Sequence, residues 1–123
     1  MTEHSLQGRT ILVVEDEYLL VEDLCSELED WKATIVGPAA TVQEGLRLLR
    51  DTEQLDGAIL DVNLRGEHVF PLADELMARG VPFVFTTGYD ASAIPSRFNK
   101  VSRCEKPVQI SQVVRSISKA AHA

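Results

Sequence analysis

Five short apolar runs, four of them followed by a stretch of helical length, constrain the fold of this chain more than any other feature. They are "TILVVED" (10–16), "ATIVGPA" (33–39), "DGAILD" (56–61), "VPFVFTTG" (81–88) and the short "VSRCEK" (101–106). Continuous β-branched and aromatic runs of this length read as strands buried on both faces. Gly37 and Pro38 are expected to stop the second. Between the runs the period changes. Val21, Leu24, Cys25 and Leu28 follow i, i+3, i+4, i+7 spacing, with Glu22, Asp23, Ser26 and Glu27 opposite. Thr41 with Glu44 three residues on is a capping-box signature ahead of the stripe Val42, Leu46, Leu49. "HVFPLADELMARG" (68–80) predicts a helix opened by His68, with Pro71 near its start and Gly80 as its C-cap. Ile110, Val113, Val114, Ile117 and Ala121 share one face of a last helix. Only "DASAIPSRFNK" (90–100) lacks a clear period, and it predicts a short helix or a mobile loop.

Strands alternating with helical crossovers imply a parallel sheet with helices on both faces. Right-handed crossovers leave few topologies. The expected fold is a flavodoxin-like, doubly wound, five-stranded parallel sheet of order 2-1-3-4-5, its fourth helix short or irregular. At 123 residues the chain is one domain, expected over 9–120, with a flexible tail at 1–8 and a short one at 121–123. The net charge of −7 argues against direct nucleic-acid binding, which needs a basic footprint. Cys25 and Cys104 lie far apart without metal-ligand spacing and read as small core hydrophobes. No apolar run approaches a membrane span and the N-terminus has no signal-peptide core, so no membrane contact and a cytoplasmic location are expected.

In sheets of this kind ligands bind outside the carboxyl ends of the strands. The first run ends in Glu15 and Asp16, the third in Asp61, the fourth in Thr86 and Thr87, the fifth in Glu105, Lys106 and Pro107. Three carboxylates on one rim repel each other, and a hard divalent cation relieves that repulsion. Asp16 and Asp61 are candidate ligands for Mg²⁺ (or Mn²⁺), with a backbone carbonyl just past Asp61. Lys106 and Thr87 are then free to meet a phosphoryl group, and a carboxylate beside them can attack phosphorus. Singly, each of these residues has a bland explanation; their coincidence on one rim favours the chemistry.

The pieces "ILVVEDE", "AILDVNLRG", "PFVFTTGYD" and "CEKPV", in that order, resemble the receiver domain of bacterial two-component response regulators over residues 9 to 120. The resemblance implies that Asp61 is the phosphoacceptor. It implies that Asp16 binds Mg²⁺ directly, Glu15 through water, and Asn63 through its backbone carbonyl. Thr87 is the implied switch hydroxyl, Lys106 the partner of the phosphoryl oxygen, and Lys106–Pro107 a cis peptide bond. "PFVFTTGY" further resembles single-domain receivers named for a PFxFATGY motif (FATGUY receivers), with Thr86 in place of alanine.

The chain departs from the family in three places. Leu64-Arg65-Gly66 replaces Leu-Pro-Gly, which is expected to alter a turn but not the chemistry. Arg103 stands where a fifth-strand aromatic switch is usual, and Tyr89 is a candidate to replace it. The stretch between Thr87 and Lys106 is short for a full fourth helix. His4, His68 and His122 do not read as phosphodonors, so the donor is expected to be a sensor histidine kinase or a histidine phosphotransfer protein. The resulting expectation is a stand-alone receiver that is not an enzyme beyond its own phosphorylation and dephosphorylation. It would signal to an unknown protein target or serve as a phosphorelay member or phosphate sink, as a monomer or a weak, phosphorylation-dependent dimer. The alternatives are a phosphorylation-independent pseudo-receiver and a fragment of a longer regulator or hybrid kinase. A haloacid-dehalogenase-type phosphatase needs a second acid where Asn63 stands, and a flavodoxin needs a phosphate-cradling loop.

Overall fold

The computed structural model describes residues 5–88 and 93–122. Five strands form one parallel sheet: β1 (Thr10–Val14), β2 (Thr34–Ala39), β3 (Gly57–Asp61), β6 (Phe83–Thr87) and β7 (Arg103–Glu105). Between β3 and β6 lies a small antiparallel hairpin of β4 (Asn63–Leu64) and β5 (Glu67–His68). The helices among the described residues are α1 (Tyr18–Asp30), α2 (Val42–Asp51), α3 (Phe70–Ala78) and α4 (Ile110–Ala121). The sheet order is β2-β1-β3-β6-β7. Counting only these five strands, that is the expected 2-1-3-4-5 order of the flavodoxin-like fold.

Side chains alternate across a strand, so each strand feeds two cores. Leu12, Val14, Ala58, Leu60, Phe83 and Phe85 pack with α2 and α3 residues on one face. Ile11, Val13, Ile59, Val84 and Cys104 pack with Leu24, Leu28, Val113, Val114 and Ile117 of α1 and α4 on the other. The three inner strands are apolar in both parities because both faces are covered. The outer strands β2 and β7 are more polar because an edge is half wet.

Local chemistry explains several boundaries. Thr41 accepts from the Glu44 amide at 3.1 Å, and Glu44 reaches back to the Ala40 amide at 3.0 Å. The capping expected there therefore forms, with the return bond one residue early. Gly37 and Pro38 do not stop β2, which runs on to Ala39 across an irregularity in its register with β1. An edge strand tolerates a proline that donates nothing to the ladder. Gly37 has φ +100°, and a Cβ there would lie 2.9 Å from the Val13 carbonyl oxygen.

His68 does not open α3. It pairs with Asn63 in β5, and α3 starts at Phe70 with Pro71 in its first turn. Gly80, at φ +71°, follows the C-cap Arg79. The segment 90–100 is described from Ala93 on, where Ser96–Phe98 form a 3₁₀ turn. Phe98 is fully buried against Phe70, Phe83 and Phe85, and Arg97 makes a two-pronged pair with Asp74 of α3 at 2.7 and 2.9 Å.

Of the expected tails, residues 5–8 and 121–122 are described, and several of these are held by contacts. Leu6 is fully buried and its amide donates to the Trp31 carbonyl at 2.7 Å. His122 meets the Arg9 guanidinium and the Ser5 carbonyl, each at 3.1 Å. An apolar side chain at position 6 has a place in the α1–α4 core, which outweighs the entropy of a free tail. His4 lies outside the described residues. No described helix is long and apolar enough to cross a membrane.

Candidate functional site

The carboxyl ends of β1, β3 and β7 bring Glu15, Asp61 and Lys106 together. Glu15 and Asp61 are nearly fully buried. Parity places them on the same side of the sheet, because Glu15 follows the alternation of Val13 and Asp61 that of Ile59. Asp16, the next residue, turns out to the rim. One carboxylate oxygen from each of Glu15, Asp16 and Asp61 lies within 4.8 Å of the other two.

Lys106 Nζ donates to Asp61 Oδ2 at 2.9 Å, to Glu15 Oε2 at 3.3 Å and to Glu17 Oε1 at 2.6 Å. Its backbone is fixed from the other direction, since the Lys106 amide donates to the Thr87 carbonyl at 2.7 Å. The Lys106–Pro107 peptide bond is cis, as the resemblance implied. The Asn63 amide donates to Asp61 Oδ1 at 3.2 Å, so both Asp61 oxygens have a donor. Thr87 is buried at the end of β6, and its neighbour Thr86 is paired in register with Asp61.

Burial, and next the bond and field of Asp61, push the Glu15 carboxyl up to about 8 against the pull of Lys106. Burial works to lower the Lys106 ammonium. Its bonds to Glu17 and Asp61, with the fields of Glu15 and Asp61, outweigh that and raise it above the ordinary lysine value. The buried Glu15 Oε1 has no hydrogen-bond partner among the described residues. An unpartnered buried carboxylate oxygen in an all-oxygen cluster fits a hard divalent cation, which takes oxygen ligands and keeps several waters.

Two side chains escaped the sequence reading. One is Glu17, the third partner of Lys106. The other is Arg65, whose Nε lies 3.2 Å from Asp16 Oδ2. Arg65 and Gly66 have φ of +53° and +90°, the pattern of a two-residue type I′ hairpin turn. Proline, locked near −65°, cannot take the Arg65 conformation. The departure from Leu-Pro-Gly therefore changes more than a turn, because it hands the acidic rim a guanidinium. Arg103 is exposed on the edge strand β7, in register with Phe85, and Pro107 is exposed beside the rim. Tyr89 lies outside the described residues.

No family model and no curated protein matches the chain. Solved structures do. The solution structure of SdrG from Sphingomonas melonis Fr1 is 40% identical, with TM-score 0.79, covering 94% of this chain and 97% of that one. The BeF3-activated conformation of SdrG matches at TM-score 0.72, over 92% of this chain and 94% of that one. The signal receiver domain of a modulated diguanylate cyclase from Desulfovibrio desulfuricans G20 is 28% identical at TM-score 0.78, covering 92% and 93%. A response regulator receiver protein from Sinorhizobium medicae WSM419, 23% identical at TM-score 0.76 over 97% and 98%, shares the fold. Likeness at this identity over almost the whole of both chains, on a sheet whose strand ends carry the acids and the Lys-Pro described above, places the sequence: the chain belongs to the response regulator receiver family.

Proposed function

We propose that this protein is a phosphorylation-dependent receiver that takes a phosphoryl group onto Asp61. The observation that carries the reading is the setting of Asp61. It is a buried carboxylate with Lys106 Nζ at 2.9 Å on one oxygen and two further acids close by. An Asp61 oxygen forms a bond to phosphorus while the donor's P–N or P–O bond breaks and its electron pair leaves with the donor. Lys106 meets the negative charge on the phosphoryl oxygens, and the Thr87 hydroxyl turns to one of them afterwards.

Asp16 and Asp61, the Asn63 carbonyl, and Glu15 through water would hold Mg²⁺ or Mn²⁺. The ion supplies charge neutralisation at the phosphoryl oxygens. The donor is a sensor histidine kinase or a histidine phosphotransfer protein, and the output is a protein contact or onward relay. The chain catalyses only its own phosphorylation and dephosphorylation. "PFVFTTGY" supports the finer assignment to the FATGUY subgroup.

Intact mass after incubation with acetyl phosphate tests this. A Mg²⁺-dependent gain of one phosphoryl group, lost in Asp61→Asn, is expected. Modification that persists in Asp61→Asn moves the acceptor elsewhere. Absence of both modification and beryllofluoride binding in the natural chain makes it a pseudo-receiver.

A further inference from the structure

An ammonium has three hydrogens to give. Those of Lys106 are all committed among the described residues, to Glu15, Asp61 and Glu17. A phosphoryl oxygen approaching Lys106 while Asp61 is still unmodified therefore has to displace one of these acceptors. Glu15 and Asp61 have little room to move aside, because their side chains are only 1% and 5% exposed. The Glu17 side chain is 60% exposed, and water waits for it outside.

The Glu17 contact is also the shortest of the three, at 2.6 Å. Its backbone is held in place by the site itself, since the Glu17 amide donates to Glu15 Oε2 at 3.2 Å. Glu17 is the N-cap residue of α1, yet its side chain caps nothing in that helix and turns to Lys106 instead. A carboxylate is, moreover, a fair imitation of a phosphoryl face, with oxygens carrying negative charge at hydrogen-bonding distance.

We propose that Glu17 is a built-in competitor for the phosphoryl group, a resident anion that occupies Lys106 until an incoming phosphoryl oxygen displaces it. The inference rests on the receiver reading above and adds a residue that sets how much donor the site needs. A ligand that requires a minor state binds more weakly by the fraction of time that state exists. Glu17 thus lowers apparent affinity for phosphoryl donors and leaves the transfer step itself alone. In phosphorylation kinetics this is a change in half-saturating donor concentration at constant maximal rate.

The test uses beryllofluoride with saturating Mg²⁺, followed by ¹⁹F NMR, and acetyl phosphate kinetics followed by intact mass. Four chains are compared: the natural one, Glu17→Ala, Glu105→Ala and Asp61→Asn. Glu105 lines the same cleft as Glu17 and Lys106 but is not one of the ion-pair partners of Lys106 among the described residues. It therefore reports the effect of removing a nearby charge without removing the contact. In Glu17→Ala the half-saturating concentrations of beryllofluoride and of donor should both fall, by about two- to fivefold, the weight of an exposed ion pair. The maximal rate should stay within about twofold, and Glu105→Ala should shift neither concentration by more than about half as much.

Equal shifts in Glu17→Ala and Glu105→Ala overturn the competitor, as do unchanged half-saturation or a changed maximal rate alone. A natural chain that binds no beryllofluoride and gains no phosphoryl group overturns the receiver reading itself, and the competitor with it. Binding in the natural chain that Asp61→Asn abolishes keeps the two questions separate.

Discussion

Arg65 reaches Asp16 from a left-handed backbone position that proline could not adopt, and its guanidinium stands close to where a cation would be bound. The pair is wet on the arginine side, so it is worth about 0.2–1 kcal/mol. Replacing Arg65 by glutamine removes a competitor for Asp16 while sparing the turn. Titration calorimetry should find Mg²⁺ affinity raised about two- to fivefold; an affinity that stays level or falls would show that Arg65 does not guard the site. That Glu15, Asp16, Asp61 and Lys106 come together was legible in the sequence, because each lies at a strand's carboxyl end and such ends share one rim of a parallel sheet; Thr87 ends β6 at that rim with its side chain on the other face. Glu17 and Arg65 were not legible there. The place of Glu17 depends on a side chain folding back across the rim rather than following α1. That of Arg65 depends on the hand of a hairpin turn. Counting one residue past the acidic pair would have found the first; asking what φ the turn demands would have found the second.

Periodicity carries the elements. β1, β3 and β6 lie inside the expected runs because their apolar stretches are bounded by charge or by Gly88, and α2 begins where Thr41 and Glu44 said it would. Cutting that cap in Thr41→Ala leaves the Glu44 amide without its acceptor and should cost about 1 kcal/mol in urea unfolding, with an unchanged denaturant slope. A loss of under a few tenths would mean that water caps the helix equally well. The boundaries that sequence missed share a cause. Gly37–Pro38 and His68 were read by intrinsic preference, which stops strands at proline and starts helices near an apolar run. Tertiary pairing overrode both. The edge of β1 keeps β2 going to Ala39, and the backbone of Asn63 captures His68.

At the scale of the molecule, the fold concentrates acid at one rim of an already acidic protein of charge −7. Burial and Asp61 raise Glu15 from 4.5 to about 8. Between those two pH values the unfolded chain has given up a proton that the folded one keeps, so this group erodes stability as pH climbs from about 4.5 to about 8. Below that window it contributes nothing, and above it the whole loss is felt. On the cation binding proposed above, a divalent ion would favour the ionised form and so reverse the loss. Scanning calorimetry should therefore find the rise in Tm on adding Mg²⁺ small near about pH 5, growing with pH and level above about pH 8. A rise that is the same across that range would mean Glu15 is already ionised at its lower end.

The sheet also divides the protein into two rooms. Glu15, Asp61 and Lys106 follow the parity of Val13, Ile59 and Cys104, whose room is walled by α1 and α4. Thr87 follows the parity of Phe83 and Phe85 into the other, where Phe70 and Phe98 tie α3 to the 3₁₀ turn. The rim is the doorway common to both. On the phosphorylation proposed above, a single mark written at the rim would border both rooms, so a partner could read it from either side of the sheet.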